Sequence, residues 1–324
     1  MLEKVIIAIE KRPKQEERES FFQMLDGEGI GSVCLDVKEE SFVQKDPLLY
    51  GMRLYEKEKL LGKCISKEGV LWISDRADLC RNALAEGYPV IAYLGGRTNR
   101  QAEEEMQKTD GENRESAESA EDSFWGVRYA VESLKGIDGQ YLERACRRYA
   151  GLPWEILQTK RCIVRETTVE DVDAFYKIYE EPSITEYMEG LFEDREEEIR
   201  YTKNYIKSVY EFFGYGLWTI VEKNDNCVIG RAGISWREDT ETIELGFVIA
   251  KSYQRKGYAF EVCSAILDYA YDGLDIRKVW AYVDKENRIS RSLCHKLGFR
   301  FRGETCLRNG FGKEEMVDGY VWER

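Results

Sequence analysis

The sequence predicts two α/β domains in tandem, and three observations carry the prediction. At 324 residues the chain is long enough for two ordinary domains of about 150 residues each. Short apolar runs bounded by turn residues alternate with segments whose apolar positions recur every three or four residues. The stretch "GLPWEILQTKR" at 151–161, opened by a Gly-Leu-Pro turn, reads as a connector between the halves. The expected domains are therefore residues 1–157 and residues 160–324.

Composition narrows the class. With 43% hydrophobic and 34% charged residues, the chain reads as globular rather than disordered. "MLEKVIIAIEKR" holds only a five-residue apolar run flanked by charge, which fits a buried strand better than a signal peptide or membrane span. No other stretch reaches spanning length, so the expectation is a cytoplasmic protein without a membrane partner. The nine cysteines are scattered singly with no CxxC pair, as buried small hydrophobes in a reducing compartment would be. A single histidine, His295, excludes multi-histidine metal motifs, so no metal is expected. The net charge of −13, with acid exceeding base in both halves, disfavours nucleic acid as a partner.

In the first half, "VIIAI" reads as a strand, and "VLWISDRADLCRNALAEGYPVIAYLGG" as strand, helix, strand. Asp75 is the expected helix cap with Asp78 three residues on, Gly87 closes the helix, and Pro89 follows. "QAEEEMQKTDGENRESAESAED" (101–122) is acidic, polar and poor in large apolar residues, which predicts a mobile insertion. After it, "FWGVRYAVESL" and "GQYLERACRRYAGLPWEIL" resume apolar patterning. Through "VLWISD…LCRNALAEGYPVIAYL" this half resembles the haloacid-dehalogenase-like Rossmannoid fold. That family's Asp-x-Asp nucleophile signature is missing from "VIIAIEKRP". The resemblance therefore implies a Rossmann-like domain for regulation, substrate presentation or dimerisation rather than a phosphatase.

In the second half, "RCIVRETT" alternates as a strand does, and "TVEDVDAFYKIYEE" is an amphipathic helix with Thr168 as cap and Asp171 at the box position. A charged helical stretch at 194–213 precedes three strands, "LWTIVEK", "CVIGRAGISWRE" and "TIELGFVIA", with Asp225-Asn226 turning between the first two. "SYQRKGYAFEVCSAILDYA" (252–270) then opens a helix whose Ala259, Val262, Cys263, Ile266, Leu267 and Ala270 share one face, with Gly273 ending the run. The strand "KVWAYVD", the helix "RISRSLCHKLG" capped by Gly298, and a closing strand pair complete the chain.

The junction at 254–260 points to chemistry. Amides at the start of a helix have no partner within it, and with the helix dipole they suit a diphosphate. Gly257 permits close approach, Ala259 keeps the next turn open, and Arg255 and Lys256 add charge. A solvated basic loop is the competing reading. Thirty residues on, "ENRISRSLCHKLGFRFRGE" places Asn287 and Ser290 at the start of a short helix.

With "QRKGYA", the strand between them and the order of elements, this segment resembles the Gcn5-related N-acetyltransferase (GNAT) family over residues 160–324. It is most similar to the branch containing the ribosomal-protein N-terminal acetyltransferases. The resemblance implies a mixed, mostly antiparallel sheet with acetyl-CoA lying between two splayed parallel strands, "TIELGFVIA" and "KVWAYVD". It implies that Phe247, Val248 and Ile249 pair with the pantetheine arm. Gln254, Arg255, Lys256, Gly257, Tyr258, Ala259 and Phe260 would cradle the diphosphate, and Asn287 would meet the pantetheine amides. Ser290 is either a helix cap or a cofactor contact.

Acetyl transfer needs a base for the amine and an acid for the leaving thiolate. Glu244 occupies the family's base position, on the strand face opposite Ile243, Leu245, Phe247 and Ile249. A merely exposed strand glutamate is the alternative. The family's usual tyrosine acid is replaced by Cys294, four residues after Ser290, which is either an acid near the sulfur or a small buried residue. Tyr282 or water are the other sources of that proton, unless the acid step is dispensable, and His295 beside Arg291 takes no part. "EEPSITEYMEGLFEDREEE" shapes the acceptor side, where Glu186, Glu189, Glu193 and Asp194 beside Tyr187, Met188 and Phe192 favour a cationic amine unless they are only a solvated helix start.

The expected function is transfer of acetyl from acetyl-CoA directly to a primary amine: a small amine, an amino acid or a protein N-terminus. The alternative is a catalytically weak CoA-binding sensor, and a homodimer is an option for either.

Overall fold

The computed structural model describes residues 2–10, 13–35, 67–95, 124–308 and 314–324. It divides into two compact units, Met1–Leu152 and Pro153–Arg324. The acidic stretch expected to be a mobile insertion lies outside the described residues.

Among the described residues, the first unit is a five-stranded parallel sheet. Strands β1 (Lys4–Ala8), β2 (Gly31–Cys34), β3 (Val70–Ser74), β4 (Val90–Tyr93) and β5 (Tyr129–Val131) lie in the order β2-β1-β3-β4-β5. Helices α1 (Gln15–Gly27), α2 (Ala77–Ala85) and α3 (Gly139–Tyr149) accompany them. Successive residues of β1 feed two separate cores. Val5, Ile7 and Ile9 pack with Phe21, Leu25 and Leu142, while Ile6 and Ala8 pack with Leu79, Cys80 and Ala83. A strand covered on both faces must be apolar at every position, which is why "VIIA" and "VLWI" do not alternate.

Asp75 does not cap α2. Its Oδ1 accepts the Glu10 amide at 2.8 Å, Arg76 stands at the cap position, and Arg76 pairs with Asp78. Gly87 does close the helix in the left-handed region, its amide bonding the Leu84 carbonyl.

The second unit is an eight-stranded sheet. Its strands are β6 (Glu155–Gln158), β7 (Cys162–Arg165), β8 (Leu217–Glu222), β9 (Cys227–Arg237), β10 (Thr242–Ile249), β11 (Lys278–Asp284), β12 (Arg300–Arg308) and β13 (Glu314–Glu323). They lie in the order β12-β13-β11-β10-β9-β8-β7-β6, antiparallel except for β10 and β11. Residues 155–157, read from sequence as part of the first domain and its connector, belong to this sheet. Ile156 is buried in its core, and pairing with β7 satisfies backbone groups a free connector would leave to solvent.

Helix α4 (Val172–Tyr179) follows the expected Thr168–Asp171 capping box, and a short turn α5 (Pro182–Thr185) comes next. Helix α6 (Arg195–Tyr205) continues through a π-helical segment (Ile206–Tyr210) into a last turn, α7 (Glu211–Phe213). Helix α8 (Tyr258–Leu274) makes the crossover that a parallel pair requires, and α9 (Arg288–Lys296) follows β11. Gly273 lies inside α8, which ends instead at Asp275 in the left-handed region (φ +55°). An aspartate tolerates that conformation better than most residues.

Candidate active site

Strand β10 pairs with β9 over all eight of its residues, and β11 pairs with β13 over all seven of its own. Between β10 and β11 there is one register pair, Glu244 with Trp280. Beyond that rung the strands part, so the edge of β10 from Leu245 onward faces β11 without a ladder partner. Phe247, Val248 and Ile249 lie on this stretch. The Ile249 carbonyl accepts from Gln254 Nε2 at 2.9 Å, which folds the end of the strand into the next turn.

The two faces of β10 are distinct. Leu245 and Ile249, with Ile243 and Phe247 at its margin, pack in the core containing Val262, Cys263 and Ile266 of α8. Val248 belongs to another cluster, with Phe175, Ile178 and Tyr179 of α4 and Ile184. Glu244, Gly246 and Val248 therefore face the α4 side, as the alternation predicts. Val279, Ala281 and Val283 of β11 join the α8 core, leaving Trp280 and Tyr282 stacked on the other face at 5.8 Å with their planes 8° apart.

The turn after β10 has the backbone geometry of an anion cradle. Arg255 (φ +62°) and Gly257 (φ +85°) both adopt the left-handed region. Such alternation turns successive amides toward one concavity. Among the described residues, no amide from Arg255 to Phe260 donates to a protein acceptor. Helix α8, 17 residues long, adds the positive end of its dipole there. Arg255, Lys256 and Gly257 are exposed, and Tyr258 is buried with its hydroxyl 3.4 Å from Glu222 Oε1, so Tyr258 offers only its backbone.

Sequence reasoning missed Arg161. Its Nε donates to Glu261 Oε2 at 2.7 Å, its Nη1 to the Lys256 carbonyl at 3.0 Å, and its guanidinium lies 3.9 Å from the Tyr258 ring centroid. It clasps the cradle from a hairpin 95 residues earlier, so no local signal in the sequence could have found it.

Glu244 is paired. Arg237 Nε donates to its Oε2 at 2.6 Å, and the carboxylate side chain keeps 18% of its surface exposed. Burial pushes its carboxyl above the ordinary carboxylate value, against the opposing pull of the Arg237 guanidinium. Thr242 Oγ1 and Tyr282 OH are 3.1 Å apart on the same face. Deeper on that face Arg231, the register partner of Val248, sits over the rings of Phe175 and Tyr179 and donates Nε to Tyr179 OH at 3.2 Å.

At the end of β11, Asn287 caps α9 by accepting the Ser290 amide at 3.0 Å, which leaves its side-chain N–H donors for another partner. Ser290 takes part in that cap through its backbone. Cys294 is placed apart from this group: it is 2% exposed in the α8 core, where burial pushes its thiol up to about 12. A thiol so held gives up its proton less readily than an ordinary one. His295 packs edge-on against Tyr320 at 5.6 Å, and Arg291 donates to the Tyr320 hydroxyl, so the two converge on Tyr320 rather than on each other.

On the α4 side, Glu186, Glu189 and Glu193 are exposed and Asp194 caps α6 by accepting the Glu196 amide. Tyr187, Met188 and Phe192 are each more than a third exposed beside them.

Residues 161–300 match the family model of an acetyltransferase (GNAT) domain. The uncharacterized N-acetyltransferase YnaD of Bacillus subtilis (strain 168) is 28% identical over 167 residues, covering 51% of this chain and 91% of YnaD. Spermidine N(1)-acetyltransferase of Escherichia coli (strain K12) is 36% identical over 61 residues, 19% of this chain and 33% of that protein. Among solved structures, an acetyltransferase of the GNAT family from Bacillus anthracis is 21% identical with a TM-score of 0.44, covering 52% of this chain and 97% of its own. The second unit thus carries a GNAT acetyltransferase domain, and the chain is an acyltransferase of the N-acetyltransferase kind. Acetyl-CoA is the cosubstrate of that family.

Proposed function

We propose that the chain transfers acetyl from acetyl-CoA directly to a primary amine, with Glu244 as base and the 254–260 turn as diphosphate anchor. The observation that carries the reading is the parting of β10 from β11 at the Glu244–Trp280 rung, with unbonded amides at the open end. The pantetheine arm fits the partnerless edge at Phe247 to Ile249, with Asn287 as a side-chain donor at the end of β11.

An ammonium acceptor gives one proton to Glu244, and its neutral nitrogen bonds the acetyl carbonyl carbon. The carbon–sulfur bond then breaks with its electron pair on sulfur. The second nitrogen proton reaches that sulfur through solvent, because the buried Cys294 is a poor donor. The products are the N-acetyl amine and CoA thiol, and Glu244 returns its proton to water.

The acidic rim of Glu186, Glu189, Glu193 and Asp194, with its exposed aromatics, supports a cationic amine such as a polyamine. The relative named for spermidine is in keeping with it. A protein N-terminus is the acceptor that likeness to the ribosomal-protein branch would give. The parallel sheet of the first unit, in the order 2-1-3-4-5, supports a doubly wound, Rossmann-like domain. Its role is presentation of the acceptor or assembly.

The test is acetyl-CoA-dependent release of free thiol across polyamines, amino acids, aminoglycosides and short peptides. Acceptor-dependent release with a preference for cations supports the reading. The place of Cys294 in the core favours one rival, a CoA-binding sensor that has lost its acid. Tight acetyl-CoA binding without release on any acceptor would establish that rival instead.

A further inference from the structure

We infer that Arg237 is the positioning residue of the transfer site: its guanidinium fixes Oε2 of Glu244 and leaves Oε1 as the oxygen that meets the acceptor's proton. The inference rests on the reading of Glu244 as base. Arg237 is the register partner of Thr242, and Glu244 of Ser235, so the two side chains share a sheet face on neighbouring strands, one step apart. The bond between them is 2.6 Å, and among the described residues Oε1 has no hydrogen bond.

Arg237 is itself anchored. Its Nη1 donates to Asp239 Oδ2 at 3.3 Å and to the Arg308 carbonyl at 3.4 Å, and its guanidinium lies 5.7 Å from the Tyr282 ring centroid. Asp239 in turn accepts the Arg308 amide at 3.3 Å. The guanidinium is therefore held from the β9–β10 turn, from the end of β12 and from the β11 aromatic face at once. A planar, always-charged group held on three sides offers a directional N–H to one carboxylate oxygen, which a flexible lysine would do less well.

The pair has a chemical consequence. A carboxylate taken out of water drifts toward its protonated form, which cannot accept the amine's proton. Among the described residues, the charged groups acting on Glu244 are Arg237 on β9 and Asp239 in the adjoining turn. The acid works in the same direction as burial, and only the guanidinium opposes it. By opposing burial, Arg237 favours the ionised form of Glu244 that a base requires.

The experiment compares wild type, R237Q, R237K, E244Q and the R237Q/E244Q double variant. The Glu244 carboxyl is titrated by carbon-13 NMR of glutamate-labelled protein, with E244Q assigning the signal, and pH profiles of kcat/KM for acetyl transfer are recorded alongside. In R237Q the titration midpoint moves to higher pH and the acidic limb of kcat/KM follows it. The rate constant at pH 7 falls about tenfold or more and recovers toward pH 9. R237K restores most of it. In the E244Q background, R237Q changes kcat by less than about twofold, since its target is gone.

An unmoved midpoint in R237Q, or an equal loss at every pH, overturns the inference, because a purely structural arginine would act without regard to pH. If wild type acetylates no amine, the proposed function fails by itself, and the carboxyl titration still decides whether Arg237 governs Glu244.

Discussion

Glu244 and Trp280 face each other across the single rung that joins β10 to β11, and the strands part immediately beyond it. The candidate base thus stands at the closed end of a wedge whose open end is the turn at 254–257. The five residues from Leu245 to Ile249 make the wedge roughly 17 Å long at about 3.3 Å per residue, room for an extended arm rather than a compact ligand. The proposed base, arm edge and anchor follow one another along β10 and the turn after it, so the site can be tested one segment at a time.

At the open end, Gly257→Asp sets a side chain on a backbone of φ +85° and a negative charge among the amides proposed to hold a diphosphate. Acetyl-CoA affinity, measured by calorimetry, is expected to fall at least about a hundredfold, since like charges brought together cost several kcal/mol. Circular dichroism should show the fold retained. Wild-type affinity in the variant would remove the anchor.

At the closed end the sign of the pH dependence follows from the protonation state a base requires. Burial holds the Glu244 carboxyl above its ordinary value, and only its ionised form accepts a proton. Activity therefore falls as pH drops through that raised value, on an acidic limb lying above the usual glutamate position of about 4.3. Glu244→Gln should abolish that limb and lower kcat about a hundredfold to a thousandfold, with the residual rate rising as more amine is neutral. Persistence of the limb in the variant would move the base elsewhere.

Arg161 lends itself to a split between binding and turnover. Its bonds to Glu261 and to the Lys256 carbonyl hold the cradle's shape without placing it near the acetyl end. Arg161→Ala should raise the KM for acetyl-CoA about tenfold and leave kcat nearly unchanged. A fall in kcat at saturating acetyl-CoA would show that the clasp also orders the reacting groups.

Cys294 separates core from chemistry. Enclosed in the α8 core with its thiol pushed up to about 12, it is expected to behave as packing. Cys294→Ala should cost about 1–2 kcal/mol in denaturant unfolding and change kcat less than about twofold. A hundredfold loss of kcat at unchanged stability would reinstate it as the acid.

Much of this site is legible along the chain. Period-two alternation assigns the faces of β10, and the structure separates Leu245 and Ile249 from Val248 accordingly. The glycine and the two cations before an amphipathic helix mark the cradle, and the Thr168–Asp171 box marks the start of α4. These readings succeed because φ/ψ preference, capping and amphipathicity act over a few residues and leave their pattern in consecutive letters. Where two local options compete the pattern is weaker. Asp75 could cap α2 but accepts the Glu10 amide just beyond β1 instead, and α8 runs past Gly273 to an aspartate.

The sequence by itself determined most of the strands and helices, the glycine-and-cation turn before α8 and the carboxylate set opposite an apolar row. Only the tertiary structure decided that β10 and β11 touch at one rung, that Arg237 closes on Glu244, and that Arg161 reaches across 95 residues to the turn. It also decided that Cys294 faces the core. The reason is physical: a residue's backbone preference is written in its neighbours. Its contact partner, by contrast, is the outcome of competition among packings of similar energy between segments far apart in the chain, and that competition leaves no local trace.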